Sequence, residues 1–147
     1  MRVALYARVS TRDKDQDPET QLRPLREHIS ADDQLVGEFV DRASHDDLRG
    51  RREWRQLLEL ARRRRVDVIV VWRIDRAFGS MLDGASTLEH LRGVGCGLRS
   101  LQEPWIDTTT AMGEAMYHIT LAWAQLERQT LRERTQAGMQ RVGADRP

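Results

Sequence analysis

Residues 66–72 constrain the fold of this chain more than any other segment, because all of them except Asp67 are apolar. A near-continuous apolar run of this length predicts a strand that is covered on both faces. Strands of this kind are typical of parallel sheets with helices packed against them. The segment therefore predicts a buried strand, and with it a fold in which helices cover a sheet.

Strand and helix patterns alternate along the first 110 residues. Further strands are predicted at residues 3–9, 35–40 and 98–102, and helices at residues 18–30, 54–65 and 80–92. The first of these helices contains Pro24, which must lie in its first turns or kink it. Alternation of this kind favours a mainly parallel sheet covered by helices. We therefore expect an α/β core over residues 1–110.

From Ala111 onward the pattern changes to one long helix that reaches about Val142. Thr110 is its expected N-cap, and Glu114 suits the first turn. Its apolar side chains form a stripe that consists of Met112, Met116, Ile119, Trp123 and Leu126. Beyond that stripe the helix becomes charged. We expect the first half to pack on the domain or on a partner subunit, and the second half to meet something polar or anionic.

The charges of the chain nearly cancel, and they leave a net charge of +1. A dedicated nucleic-acid-binding module is usually much more basic. The distribution is uneven, however, because 23 of the 24 basic residues are arginines and nine of these lie between positions 42 and 65. The planar guanidinium suits phosphate, so this region either meets a polyanion or forms a solvated helix face.

Cysteine content and hydropathy restrict where the chain can work. Cys96 is the single cysteine, so it cannot form an internal disulfide, and we expect it in the core. No apolar run approaches the length of a membrane span, and no signal-peptide pattern precedes the first strand. We therefore expect a cytoplasmic protein with no membrane contact.

Functional groups gather at the carboxyl ends of the strands in a parallel α/β sheet. The predicted strands end at Arg8 and Ser10, at Asp41, and at Asp75 and Arg76. A serine hydroxyl becomes a useful nucleophile when a base takes its proton or when positive charge stabilises the alkoxide, and arginines supply such charge. A single serine after a strand more often caps a turn, so its position alone leaves both interpretations open.

Metal ligands and phosphate loops have their own sequence patterns. The four histidines are scattered and are not spaced as ligand pairs. The sequence also contains no glycine-rich phosphate loop after a strand. We therefore expect neither a metal nor an organic cofactor.

Taken together, these residues resemble the serine recombinase family of resolvases and invertases. The segments that carry the resemblance are Tyr6-Ala7-Arg8-Val9-Ser10-Thr11, Gln21-Leu22, the loop from Asp41 to Arg51, Asp75-Arg76, and Ala124-Gln125-Leu126-Glu127-Arg128. Their order and approximate spacing agree over nearly the whole chain. The resemblance implies a resolvase catalytic-domain-like fold and an enzyme that cuts and rejoins DNA strands.

The resemblance also implies a role for each matched residue. Ser10 would attack a DNA phosphodiester and leave a 5′-phosphoserine link and a free 3′-hydroxyl. Because that ester keeps the bond energy, rejoining would need neither ATP nor metal. In the family, the positions of Arg8, Arg51 and Arg76 hold the scissile phosphate, that of Asp75 assists proton transfer or arginine placement, and those of Gln21 and Asp41 support the site, the latter by orienting an arginine.

Assembly on double-stranded DNA follows from the same resemblance. Met112, Met116, Ile119 and Trp123 would form a homodimer interface, and two dimers would form a tetramer at synapsis. The basic end of the helix, with Arg128 and Arg132, would cross the minor groove. Residues 111–147 would then be the long helix and tail of the same domain. The C-terminal DNA-binding domain of resolvases and invertases is expected to be absent from this chain.

The sequence departs from the family pattern at the third strand. The family commonly has Asp-Arg-x-x-Arg there, whereas this chain has Gly79 in place of the second arginine. Arg62 and Arg73 are candidates to supply the missing charge, and Arg49 and Arg52 are alternatives to Arg51. A second interpretation follows, in which the chain is a catalytically weakened recombinase-fold module for dimerisation or interaction. An unrelated flavodoxin-like ligand-binding domain is a third and more distant one.

Overall fold

The structure is a computed structural model that describes residues 1–9, 17–42, 51–73 and 81–144. Several residues singled out by the sequence lie outside the described residues, namely Ser10, Arg49, Asp75, Arg76 and Gly79. The predictions for those five residues therefore rest on the sequence.

Four parallel strands form one sheet in the order β2-β1-β3-β4. The strands are β1 (Arg2–Val9), β2 (Gln34–Arg42), β3 (Val68–Val71) and β4 (Gly97–Ser100). The described part of the chain thus confirms the predicted α/β fold with a parallel sheet. β1 and β3 lie between neighbours on both sides, which explains why both are buried along almost their whole length.

All four predicted strands differ from the observed ones by one or two residues at their ends. β3 begins two residues later than predicted, and the Asp67 side chain directly before it binds the start of β1. Its Oδ2 accepts hydrogen bonds from the backbone N–H and the Nε of Arg2, at 2.7 and 3.2 Å. β4 ends at Ser100, although the N–H groups of Leu101 and Gln102 still donate to the carbonyls of Val71 and Trp72.

Helices cover both faces of the sheet, as the apolar strands require. α1 (Glu19–His28) packs on one face through Leu22 and Leu25, whereas α2 (Arg52–Arg62) and α3 (Met81–Gly93) pack on the other. Alternate residues of β1 therefore serve different helices, since successive side chains of a strand point to opposite faces. α1 continues through Pro24 to His28, so the proline does not end the helix.

The long C-terminal helix is confirmed as α4 (Ala111–Ala144), with 34 residues. Thr110 is its N-cap, because the Thr110 Oγ1 accepts a hydrogen bond from the Gly113 N–H at 3.0 Å. Glu114 lies in the first turn and pairs with Arg92 near the end of α3 at 3.2 Å. At 1.5 Å per residue the helix is about 50 Å long, which is longer than any described strand of the sheet.

Cys96 lies in the core, as predicted, directly before β4. Burial raises the pKa of its thiol to about 12, so the group stays protonated near neutral pH. None of the described helices combines the length and the apolar character that a membrane span needs.

The start of α4 depends on a close approach at Gly113. A Cβ on this residue would overlap the backbone of Asp107, whereas a Cβ on Gly138 would meet nothing within 4 Å. We predict that Gly113→Ala lowers the free energy of unfolding by about 2 kcal/mol, because the turn before α4 must shift. The matched control Gly138→Ala should raise it by up to about 1 kcal/mol, because alanine favours the helix. Urea unfolding of both variants checks this, and equal effects would contradict the close approach.

Candidate active site

Asp41, at the carboxyl end of β2, accepts three hydrogen bonds that join three elements. Its Oδ2 accepts from the Tyr6 hydroxyl of β1 at 2.9 Å and from the Trp54 N–H at 3.0 Å. Its Oδ1 accepts from the Glu53 N–H at 2.9 Å. The two amides belong to the first turn of α2, where a carboxylate is favourable because helix N–H groups there lack helical partners. Asp41 thus fixes the start of α2 against β1 and β2.

Arg51 directly precedes α2 and is only 2% exposed. Its guanidinium carbon lies 5.1 Å from the centroid of the Trp54 ring and 5.8 Å from that of the Tyr6 ring. Those rings are 4.7 Å apart, centroid to centroid, and tilted by 57°. A cation beside two aromatic faces gains favourable electrostatic energy. Burial raises the pKa of the Tyr6 hydroxyl, although the Arg51 charge opposes this, so Tyr6 remains a hydrogen-bond donor to Asp41.

Arg49 and Arg52 are the alternatives to Arg51, and the structure describes Arg52. Arg52 begins α2 and is exposed, in contrast to the buried Arg51 beside it. The prediction that Asp41 orients an arginine stays a prediction, and the three hydrogen-bond partners of its carboxylate are a phenol and two backbone amides. It acts on Arg51 through the backbone, because the amides that it binds lie two and three residues further along the chain.

Arg8 and Gln21 complete the described part of the site. Arg8 is 5% exposed and lies opposite Asp41 in the β1–β2 register. The Gln21 side chain is buried, and its Nε2 donates to the Arg8 carbonyl at 2.9 Å. Gln21 therefore holds the carboxyl end of β1, which leads to Ser10. The structure brings Arg8, Gln21, Asp41 and Arg51 together at the carboxyl edge of the sheet.

Arg62 is not brought to this edge. It ends α2, about 15 Å along the helix from Arg51, and it pairs with Glu59 at 2.6 Å. Arg73 lies two residues beyond β3, at the carboxyl edge, and is exposed. Of the two candidates for the charge missing at Gly79, Arg73 therefore has the suitable position.

Most of the described side chains in the apolar stripe of α4 are exposed rather than packed on the domain. Met112, Ile119, Trp123 and Leu126 are all more than half exposed, and Met116 is partly buried. Arg128 and Arg132 are exposed in the distal half. At 100° per residue they lie on the side of the helix roughly opposite the stripe. One face of α4 is thus apolar and uncovered, and the other carries cations.

Sequence reasoning named Arg8, Gln21 and Asp41 but missed the parts played by Tyr6 and Trp54. Tyr6 stands in an apolar strand and Trp54 in an apolar helix face, where aromatic residues usually signal packing alone. A partial signal existed, because Tyr6 has a hydroxyl that must find a partner when it is buried. Within the described residues, no group of three or more His, Cys, Asp or Glu side chains is arranged to hold a metal ion.

The parallel sheet and its arginine-rich carboxyl edge define a recombinase-type α/β domain. The family model described as the resolvase N-terminal domain matches residues 3–145. The chain belongs to this family, and it is a serine recombinase catalytic domain.

Individual relatives and solved structures agree with this assignment. The chain is 37% identical over 150 residues to the DNA-invertase of Escherichia phage P1, covering 97% of this chain and 74% of that protein. It is 35% identical to the serine recombinase gin of Escherichia phage Mu, covering 91% of this chain and 64% of that protein. The N-terminal catalytic domain of TP901-1 integrase is similar in structure, with a TM-score of 0.76, 25% identity, and coverage of 88% of this chain and 98% of that one.

A further structure supports the fold alone. A resolvase family site-specific recombinase from Streptococcus pneumoniae has a TM-score of 0.81 at 22% identity, and the match covers 99% of both chains. The long helix is therefore included in the structural likeness.

The Asp41 hydrogen bonds predict that two substitutions lower the free energy of unfolding by different amounts. Asp41→Asn keeps the shape but turns one acceptor into a donor that faces a donor, so we expect it to cost about 3 kcal/mol of unfolding free energy. Tyr6→Phe removes one of the three hydrogen bonds and should cost about 1 kcal/mol. Chemical denaturation of the two variants measures both values. A cost for Asp41→Asn no greater than that for Tyr6→Phe would refute the role of Asp41 as the link between β1, β2 and α2.

Proposed function

We propose that the chain carries out site-specific DNA recombination with Ser10 as the nucleophile. The observation that carries this proposal is the pair of buried arginines, Arg8 and Arg51, at the edge where β1 leads to Ser10. Buried guanidinium groups at one edge form a preorganised positive field, which suits charge that develops at a phosphoryl centre. Membership of the serine recombinase family supports the same chemistry.

The proposed reaction exchanges one phosphodiester for another. The Ser10 Oγ gives up its proton and forms a bond to the phosphorus, while the bond from phosphorus to the 3′ oxygen breaks. The leaving oxygen takes a proton and becomes a free 3′-hydroxyl, and the 5′ end stays attached to Ser10. In the reverse step, a 3′-hydroxyl from a new partner displaces the serine. The number of phosphate ester bonds is unchanged, so no ATP is consumed.

The other site residues either contact the phosphate or position the residues that do. Arg8, Arg51 and Arg76 hold the phosphate and stabilise its transition-state charge. Asp75 assists with the leaving-group proton or with arginine placement. Gln21 holds the Arg8 backbone, and Asp41 fixes Arg51 through the start of α2.

Assembly and DNA contact are assigned to α4. The exposed stripe of Met112, Met116, Ile119 and Trp123 supports a homodimer, because an uncovered apolar helix face favours burial against another surface. Two dimers would form the synaptic tetramer. Arg128 and Arg132, on the opposite face, would contact double-stranded DNA. The cytoplasm, where the DNA is accessible, is the proposed location.

A catalytically weakened module is the second candidate, and Gly79 is the observation that favours it. Glycine has no side chain to hold a phosphate at the position of the family's second arginine. The exposed Arg73 at the carboxyl edge is the group that would replace it.

Covalent adduct formation tests the proposed nucleophile. The chain is incubated with DNA that carries its recombination site, denatured, and examined for DNA attached through the 5′ end. We expect Ser10→Ala to abolish the adduct and the exposed Ser86→Ala control to retain it. An adduct that survives Ser10→Ala would show that another group attacks the phosphate.

The same assay separates the active enzyme from the weakened module. A large gain in adduct with Gly79→Arg would favour the weakened module. No gain with Gly79→Arg, together with a loss in Arg73→Gln, would show that Arg73 already supplies the charge.

A further inference from the structure

Four consecutive arginines follow one another at the end of α2, at the edge of the sheet opposite the candidate active site. We call Arg62, Arg63, Arg64 and Arg65 the amino-edge arginine cluster. All four side chains are exposed. They precede β3 and therefore lie at the amino edge, whereas Arg8 and Arg51 lie at the carboxyl edge.

The charge of the cluster is only partly neutralised. Glu59 pairs with Arg62 at 2.6 Å and with Arg63 at 3.1 Å, so one carboxylate serves two guanidinium groups. The hydrogen bond from Arg62 is the main reason that the pKa of Glu59 falls to about 2. Among the residues that the structure describes, no carboxylate forms an ion pair with Arg64 or Arg65. The cluster therefore presents excess positive charge to solvent.

Arg64 adopts a backbone conformation in which glycine is the usual residue. Its φ is +57°, in the left-handed region. Its N–H donates to the Ala61 carbonyl at 2.9 Å, and the Arg65 N–H donates to the Leu60 carbonyl at 3.0 Å. This is the Schellman ending of a helix, in which glycine is the usual residue at this position. A side chain in this region is strained, and such strain often accompanies a functional requirement.

Stabilisation of the helix end does not account for Arg64. A cation in the last turn offsets the partial negative charge of the helix C-terminus, and Arg62 already occupies that turn. The Arg64 side chain instead extends towards the turn after α3, where its Nη1 lies about 3.9 Å from where a Cβ of Gly95 would stand. The cluster therefore spreads across the amino edge rather than closing over its own helix.

We propose that the amino-edge arginine cluster binds the phosphate backbone of duplex DNA, at a segment other than the one held at the carboxyl edge. This proposal rests on the proposed function only in taking DNA as the polyanion that the chain meets. Arginine suits phosphate oxygens because its planar fork can donate two parallel hydrogen bonds. β1 has eight residues and is about 25 Å long, so the two edges face different DNA segments. Contacts to phosphate alone give no sequence preference.

Salt dependence of DNA binding tests the proposal. Anisotropy of a fluorescent duplex without a recombination site gives the affinity of the whole chain at several KCl concentrations. The test variant is Arg64→Gln combined with Arg65→Gln. The matched control is Arg23→Glu on α1, which changes the net charge by the same two units on the opposite face of the sheet. Arg64→Gly serves as a second test variant, because it removes the side chain and relieves the backbone strain.

Each lost phosphate contact should reduce the slope of log affinity against log salt by about 0.9. We expect a reduction of nearly two in the double variant, about one in Arg64→Gly, and little change in Arg23→Glu. Arg64→Gly should also raise the thermal midpoint of unfolding. A cluster with only a structural role would leave the slopes of all three variants unchanged.

Unchanged slopes in the two test variants would overturn the proposal, and so would an equal reduction in Arg23→Glu. An acidic protein as the partner of the cluster would give the first of these results. Covalent adduct formation that depends on Ser10 is measured on the same proteins. It distinguishes failure of the amino-edge contact from failure of the proposed function. Adduct with unchanged slopes would overturn the amino-edge contact alone, whereas reduced slopes without adduct in any protein would overturn the Ser10 assignment alone.

Discussion

The Asp41 carboxylate is the interaction on which the rest of the site depends. It receives the Tyr6 hydroxyl from β1 and two backbone amides from α2, and it stands at the end of β2 itself. Loops and non-directional apolar packing make most of the other connections between a strand and the helix that follows it, and the Gln21 hydrogen bond to Arg8 is a further directional one. Directional hydrogen bonds at this point fix where α2 begins, and hence where Arg51 lies. A buried guanidinium needs such a fixed environment, because an unsupported buried charge is strongly destabilising.

The arginines at the two edges of the sheet differ in their exposure to solvent. At the carboxyl edge, Arg8 and Arg51 are buried, which suits the proposed contact with one phosphate in one geometry. At the amino edge, the arginine cluster is exposed, as expected for contacts that follow a backbone without fixing a register. Net charge conceals this division, because carboxylates elsewhere leave the whole chain at +1. The placement of the arginines, more than their number, relates this chain to DNA.

Much of the fold could be predicted from the sequence, because a parallel sheet covered on both faces leaves a strong apolar pattern in its strands. The same rule placed Arg8 and Asp41 at one edge, since strands of one direction end together. Contacts between distant residues were beyond such reasoning. Nothing in the strand pattern distinguishes Tyr6 as a donor to Asp41, and nothing near Arg51 shows that two aromatic rings enclose it. The contact between the Asp67 carboxylate and the backbone of Arg2 is another of these distant contacts.

Arg62 and Arg73 show that distance along the chain does not decide distance from the site. Arg62 is close to Arg51 along the chain, yet each helical residue advances the chain by 1.5 Å, and Arg62 therefore stands at the far end of α2. Arg73 is more distant from Arg51 in sequence but lies at the correct edge, because β3 carries it there. Spatial proximity to the site is set by the strand that a residue follows, and Arg73 therefore stays the candidate for the charge that is missing at Gly79.

We propose that Arg51 is held at the carboxyl edge to stabilise charge at the phosphate that Ser10 attacks. The rate of covalent adduct formation at saturating DNA, compared between the unaltered chain and Arg51→Lys, tests it most directly. Lysine keeps the charge but lacks the planar fork, so a folded variant should bind DNA with similar affinity and form the adduct about 100-fold more slowly. An unchanged rate of adduct formation in folded Arg51→Lys would contradict the account.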